Sequence, residues 1–433
     1  MKKFLKLATA LITVLALGSC ASGGGTDIKG TYSIYIEGDD WGAVTSKMIL
    51  ALNEELDEVT STDFTITETK QQTNFADPTF PVVEVTVERE IIDVYFSDAT
   101  GESVGTSSKY VTIDLESNPT AGSPLLFSMG TQYNTWSDPY YLTIEQSKTA
   151  NLTIGGKAIT TFEIAPQVVG KTTSVDMFKT DSFTATDGVN YQYAYYEPAN
   201  VSDTLVVWLH GAGEGGTEAT DPSVILLANE AGVLGGAEFQ QTIGGAHILA
   251  PQTPTFWMDK DGSGGMVGAA TSYYSESLEE LIDDYKEKND ISKVVLIGCS
   301  NGGYMTMVLG LRNPGAYTAI IPICEALKDE YITDEQLTGL KDVPMYFIHS
   351  RDDGTVDPVI YGDATVKRLQ AMGATNLHVS ATEHVEDLSG RFNDENGGTY
   401  KYNGHWSWIY FFNNESVSDK GIKSWEWLAE QIK

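Results

Sequence analysis

The sequence predicts two folded units, an all-β sandwich followed by a mostly parallel α/β sheet flanked by helices. Three observations carry this. Residues 31–168 alternate β-rich runs with turn clusters and hold no long helical pattern. From residue 178 to residue 433 short apolar strands alternate with helical periods. Finally, 433 residues are more than one ordinary core accommodates.

In chain order, Lys2, Lys3 and Lys6 precede an apolar run from Leu7 to Leu17, too short for a permanent membrane span. The run ends in Leu17-Gly18-Ser19-Cys20, which resembles the lipobox of bacterial lipoproteins. The expectation is a signal peptide over residues 1–19, a flexible tether over 20–30 containing Gly23, Gly24 and Gly25, and a lipid bilayer as partner through an acylated Cys20. That places the mature chain in a bacterial cell envelope, outside the cytoplasm, on the outer membrane or the outer face of the plasma membrane.

The β-rich runs are Tyr32–Glu37, Phe64–Thr69, Val82–Glu88, Ile91–Phe96, Tyr110–Leu115, Tyr140–Ile144 and Thr161–Ile164. Met48–Leu56 is apolar and fits helix or strand. In the second unit, Thr204–Leu209, Ala246–Ala250, Lys293–Ile297, Thr318–Ile323, Pro344–His349 and Asn376–Ala381 read as buried strands. Leu278, Leu281, Ile282 and Tyr285 recur at helical spacing, Gly303–Arg312 and Ile422–Ile432 fit helices, and Thr333-Asp334-Glu335-Gln336 has the form of a capping box.

A formal charge of −33 repels phosphate backbones and argues against nucleic acid as a partner. Of three cysteines, Cys20 is assigned to lipid, so a disulfide framework is excluded. Cys299 and Cys324 fall at the ends of neighbouring strands, as buried thiols or as one bridge.

Gly-x-Ser-x-Gly occurs around Ser103 and around Ser300. Ser103 lies between two strand-like runs, where glycine and serine are ordinary loop formers. Ser300 follows a strand and opens a helix, the context in which glycines at 298 and 302 permit a tight turn that lifts a nucleophilic hydroxyl above a sheet edge. A serine needs a base, a group that orients the base, and donors for the oxyanion. The loop Leu209-His210-Gly211-Ala212-Gly213-Glu214-Gly215-Gly216 supplies donors, with the amides of Ala212 and Asn301 as the pair. The acid lies in Asp352-Asp353-Gly354-Thr355-Val356-Asp357, where Asp353 is preferred over Asp352 and Asp357. Among six histidines, His405 in Gly404-His405-Trp406-Ser407-Trp408 is preferred as base, with His384 its rival. The order Ser300, Asp353, His405 is that of α/β-hydrolases.

Together with Ala250-Pro251-Gln252 and Trp257, these motifs resemble the bacterial esterase family related to polyhydroxybutyrate depolymerases and feruloyl esterases, over roughly residues 185–430. The resemblance is greatest to members with an N-terminal immunoglobulin-like domain. It implies an α/β-hydrolase fold, Asp353 as triad acid and His405 as base. Cys299 and Asn301 flank the serine where many relatives carry smaller or less polar residues, which leaves the acyl pocket open; Trp257, Tyr304 and Trp406 are its candidate lining. Asp259-Lys260-Asp261-Gly262 begins like a calcium loop but has Ala270 at the twelfth position, so no metal and no cofactor is expected. The expected function is carboxylic ester hydrolysis through an acyl-serine, on a small or polymeric ester. A peptidase of the prolyl oligopeptidase kind and an inert surface binding module are the alternatives; nothing in the residues specifies an oligomeric state.

Overall fold

The computed structural model describes residues 26–119, 121–216 and 221–433. The signal-like run and Cys20 lie outside the described residues. The β domain contains β1 (Asp27–Asp39), β2 (Gly42–Leu52), β3 (Phe64–Thr73), β4 (Val82–Arg89), β5 (Ile91–Ser97), β6 (Tyr110–Leu115), β7 (Leu125–Phe127), β8 (Asn134–Trp136), β9 (Tyr140–Gln146), β10 (Thr153–Ile154), β11 (Lys157–Ala158) and β12 (Thr161–Thr173). A five-stranded sheet in the order β12-β1-β2-β6-β5 faces a three-stranded sheet, β4-β3-β9, while β7 and β8 form a separate hairpin. Tyr32, Ile34, Leu50, Ile66, Ile113 and Leu142 fill the space between the sheets. The Tyr32 hydroxyl crosses it, accepting from Leu142 N–H at 2.7 Å and donating to Pro166 O at 3.0 Å.

Two expectations need correction. Asp27–Gly30, assigned to the tether, are the start of β1, paired in parallel with Thr161–Ile164. Strand β12 continues to Thr173 against that same edge. Ile28 in the first extension is fully buried in the core and Val168 in the second packs against it, so both stretches are anchored by apolar contacts as well as by backbone pairing. The ambiguous Met48–Leu56 stretch belongs mainly to β2.

The second domain is an eight-stranded sheet, β13 (Lys179–Thr184), β14 (Asn190–Tyr196), β15 (Thr204–Leu209), β16 (His247–Gln252), β17 (Lys293–Cys299), β18 (Ala319–Ile323), β19 (Met345–Ser350) and β20 (Leu377–Thr382), in the order β13-β14-β16-β15-β17-β18-β19-β20. The antiparallel β13 and β14 form one edge and the other strands run parallel. Its helices are α1 (Ser223–Leu227), α2 (Ala237–Ile243), α3 (Ser275–Asn289), α4 (Asn301–Arg312), α5 (Asp334–Leu340), α6 (Gly362–Ala371), α7 (Trp408–Phe412) and α8 (Ser424–Gln431).

Alternate residues of each strand serve opposite faces. Leu205, Val207 and Leu209 pack with residues of α3, α4, α5 and α6. Val206 and Trp208 pack with α1, α2, α7 and α8, in an apolar core continuous with that of the β domain. The two domains also meet through polar pairs: Arg391 with Asp39 at 2.7 Å, and the Tyr402 hydroxyl with Asp40 at 2.7 Å.

Candidate active site

Strand β17 ends at Cys299 and α4 begins at Asn301, leaving Ser300 as the single residue of the turn, at φ 52° and ψ −113°. A residue with a Cβ pays for such a conformation with roughly 1–3 kcal/mol of strain, so its surroundings must fix it. Ser300 N–H donates to Ile323 O at 2.9 Å and Ser300 O accepts from Tyr304 N–H at 2.8 Å. The flanking glycines are steric necessities: a Cβ at Gly298 would lie 2.5 Å from Gly302 O, and one at Gly302 would lie 1.8 Å from Leu209 O.

His405 arrives on the long loop between β20 and α7. Gly404 lets that loop pass the acid turn, since a Cβ there would lie 2.3 Å from Asp352 Oδ1. The ring is held edge-on against Trp408, at 5.9 Å between centroids. His405 Nε2 lies 2.9 Å from Ser300 Oγ, and His405 Nδ1 lies 2.7 Å from Asp353 Oδ2. The other Asp353 oxygen accepts from the amides of Thr355 and Val356, at 2.9 and 2.8 Å. These partners fix the tautomer: Nδ1–H donates to Asp353, and Nε2 accepts the serine proton.

The rivals are placed elsewhere. His384 Nδ1 pairs with Asp352 Oδ2 at 2.7 Å, and both side chains are exposed. Burial pushes the Asp352 carboxyl up, but hydrogen bonds from His384 and Ser350 outweigh it and hold the group below the usual carboxylate range. Asp357 is exposed and accepts from Val359 N–H. Ser103 bridges to Ser97 beside a turn, with no helix after it.

Asn301 is the first residue of α4 and Ala212 opens the short turn after β15, so both amides sit at helix-type N-termini, where N–H groups lack intrahelical partners. The side-chain carbonyl of Asn301 is held by Trp257 N–H at 2.6 Å. His210, wholly buried, is pushed down to about 4 by burial and stays neutral; it donates from Nδ1 to Gly211 O and accepts Thr253 N–H at Nε2.

The candidate pocket lining is corrected in part. Trp257 and Tyr304 are 0% exposed and offer a substrate no surface. Tyr304 instead ties down the loop after Met258, donating to Thr271 O at 2.6 Å and accepting from Ala269 and Thr271 amides. Trp406 is half-buried against Trp408 and Tyr402. Asp259 is buried, and its carboxylate accepts the amides of Asp261, Gly262 and Gly264, which accounts for the calcium-like spacing as a turn. Cys299 and Cys324 are both free thiols, buried and pushed up by that burial.

The sequence reading did not single out Glu214. Its side chain is buried in the donor loop and accepts from Asn134 Nδ2, across the domain boundary, at 3.0 Å. Burial pushes its carboxyl up to about 7 against that hydrogen bond.

Two family models match this chain. Residues 31–158 match the esterase Ig-like N-terminal domain, and residues 258–389 match the phospholipase/carboxylesterase family. In order along its length, the chain is thus similar to an esterase Ig-like domain and then to a carboxylesterase domain. Among solved structures, a thermostable esterase has 21% identity and a TM-score of 0.70, with 94% of this chain and 100% of that chain covered. A poly(3-hydroxybutyrate) depolymerase from Bordetella parapertussis has 14% identity and a TM-score of 0.34, with 47% of this chain and 83% of that chain covered. An esterase from Butyrivibrio proteoclasticus with bound ferulic acid has 15% identity and a TM-score of 0.32, with 46% and 87% covered. A comparison with curated proteins gives no match.

The esterase buries carboxyls that hold their protons. Burial raises Glu325 to about 8 and Glu230 to about 9, from 4.5. A raised carboxyl means that the folded state binds protons which the unfolded state releases, so stability falls as pH rises through the window between the two values. His210, His247 and His378, lowered by burial, act in the opposite sense, but only below 6.5. Thermal unfolding is therefore expected to show stability declining from pH 7 to pH 9, and Glu325→Gln is expected to flatten that slope. A stability that rises over this range contradicts the assignment.

Proposed function

We propose that Ser300, His405 and Asp353 hydrolyse a carboxylic ester through an acyl-serine intermediate, outside the cytoplasm. The carrying observation is the unbroken chain from Ser300 Oγ to His405 Nε2, at 2.9 Å, and from His405 Nδ1 to Asp353 Oδ2, at 2.7 Å. Ser300 Oγ attacks the ester carbonyl carbon while His405 Nε2 takes its proton. The Ala212 and Asn301 amides receive the developing oxyanion. The C–O bond to the alcohol then breaks, with His405 returning the proton to the leaving oxygen. Water, deprotonated by His405, cleaves the acyl-serine by the same route. Asp353 holds the ring in the required tautomer throughout.

An ordered triad disfavours an inert binding module, and the Ig-like sandwich before the catalytic domain is unlike the propeller expected of a prolyl oligopeptidase. The lipobox-like Leu17-Gly18-Ser19-Cys20 supports a lipid anchor in a bacterial envelope.

On a panel of short acyl, feruloyl and polyester substrates, Ser300→Ala and His405→Ala are expected to lose several orders of magnitude in kcat with little change in KM. Ser103→Ala and His384→Ala are expected to stay within about tenfold of the parent. The reverse ranking in folded variants refutes the assignment. Separately, Cys20→Ser is expected to move the protein from the membrane to the soluble fraction of cells; unchanged sedimentation with membranes contradicts the anchor.

A further inference from the structure

The β7–β8 hairpin belongs to the β domain, yet its tip packs on the donor loop of the other domain. A Cβ at Gly213 would lie 2.9 Å from Asn134 Nδ2, and a Cβ at Gly216 would lie 2.6 Å from the Tyr133 ring. These two glycines therefore make room for the hairpin, a use separate from admitting a substrate oxygen. Where the hairpin touches, Asn134 Nδ2 donates to Glu214 Oε1 at 3.0 Å. Glu214 folds back over its own turn, where a Cβ at Gly211 would lie 3.1 Å from its Oε2, while its main-chain oxygen accepts from Gln252 Nε2 at 2.8 Å. Ala212 lies within this closed turn.

A second line of contact leads to the other amide. The Tyr133 ring packs on Phe256, 5.1 Å between centroids, and the next residue, Trp257, donates its N–H to Asn301 Oδ1 at 2.6 Å. One hairpin thus touches the supports of both Ala212 and Asn301.

We infer that Asn134 and Glu214 are positioning residues of the catalytic reaction, through which the β7–β8 hairpin holds the Ala212 amide where the oxyanion forms. This rests on the reading of Ser300 and the two amides given above. Among the described residues the carboxyl of Glu214 pairs with no cation; it accepts from Asn134 Nδ2 and lies with the Cys299 thiol beside Gly211. Removal of the Asn134 donor leaves the buried carboxyl without its cross-domain partner and free to move with the turn. Geometry of this kind acts on the transition state and leaves ground-state binding alone.

The test compares the full chain with Asn134→Ala, the isosteric Asn134→Asp, and Thr131→Ala from the exposed part of the same hairpin. A p-nitrophenyl ester reports kcat and KM. An alkyl boronic acid, which bonds to the serine oxygen and mimics the tetrahedral state, reports oxyanion-site affinity. Deletion of an oxyanion donor costs roughly 100-fold or more, so its displacement is expected to cost about tenfold in kcat and in boronate affinity in both Asn134 variants, with KM within about twofold. Thr131→Ala is expected to match the parent. Unchanged kcat and boronate affinity, a change confined to KM, or a lowered melting temperature with kcat intact would each overturn the inference. Ser300→Ala runs in parallel: activity retained there defeats the reading of the nucleophile, whereas activity lost there and kept in both Asn134 variants defeats the positioning role alone.

Discussion

The site depends on the backbone of one residue. Ser300 is held at φ 52° and ψ −113° between strand and helix, and its Cβ makes that geometry unfavourable in isolation. What enforces it is close backbone packing: β17 is paired on both sides, to β15 and β18, and Gly298, Gly302 and Gly303 let α4 begin directly against their ends. The result points the hydroxyl out of the sheet at a helix N-terminus, where backbone dipoles favour a developing negative charge. Every other catalytic group is then a matter of bringing a loop to that point.

Three loops do so, those carrying Ala212, Asp353 and His405, and the first and last of them lean on the β domain. The histidine loop is tied to it by Arg391 and Asp39, by Tyr402 and Asp40, and by the Phe392 ring against Trp41. The donor loop meets the β7–β8 hairpin at Asn134 and Tyr133. Each such hydrogen bond is worth only roughly 1–3 kcal/mol net. Their importance lies in direction, because a catalytic group displaced by an ångström loses much of its effect. The continuous apolar core beneath them gives the two domains a common footing, which makes these polar contacts geometrically meaningful.

Much of this was legible in the sequence where one residue type has one physical use. The change from alternation to short apolar runs marks the second domain, and glycine on both sides of Ser300 between a strand and a helix marks the turn. The choice between Asp352 and Asp353 could not come from spacing. They are neighbours in one turn whose side chains serve different histidines, His384 and His405. Burial of aromatic residues was equally opaque: Trp257 and Tyr304 sit beside the site in sequence and motif, yet both spend their surface on packing. The β13–β14 hairpin escaped notice because β13 is almost wholly exposed and carries little apolar signal. Asn134 could not be found at all, since its significance arises only when residues 80 positions apart meet.

The whole arrangement stands on Ser300 being the nucleophile, activated by the His405–Asp353 pair. It is tested most directly by treating the intact protein with a fluorophosphonate and locating the adduct by peptide mass spectrometry. One phosphonyl group per chain is expected, on the peptide carrying Ser300, with none on Ser103. An adduct on another serine, or none on an ester-hydrolysing preparation, would contradict it.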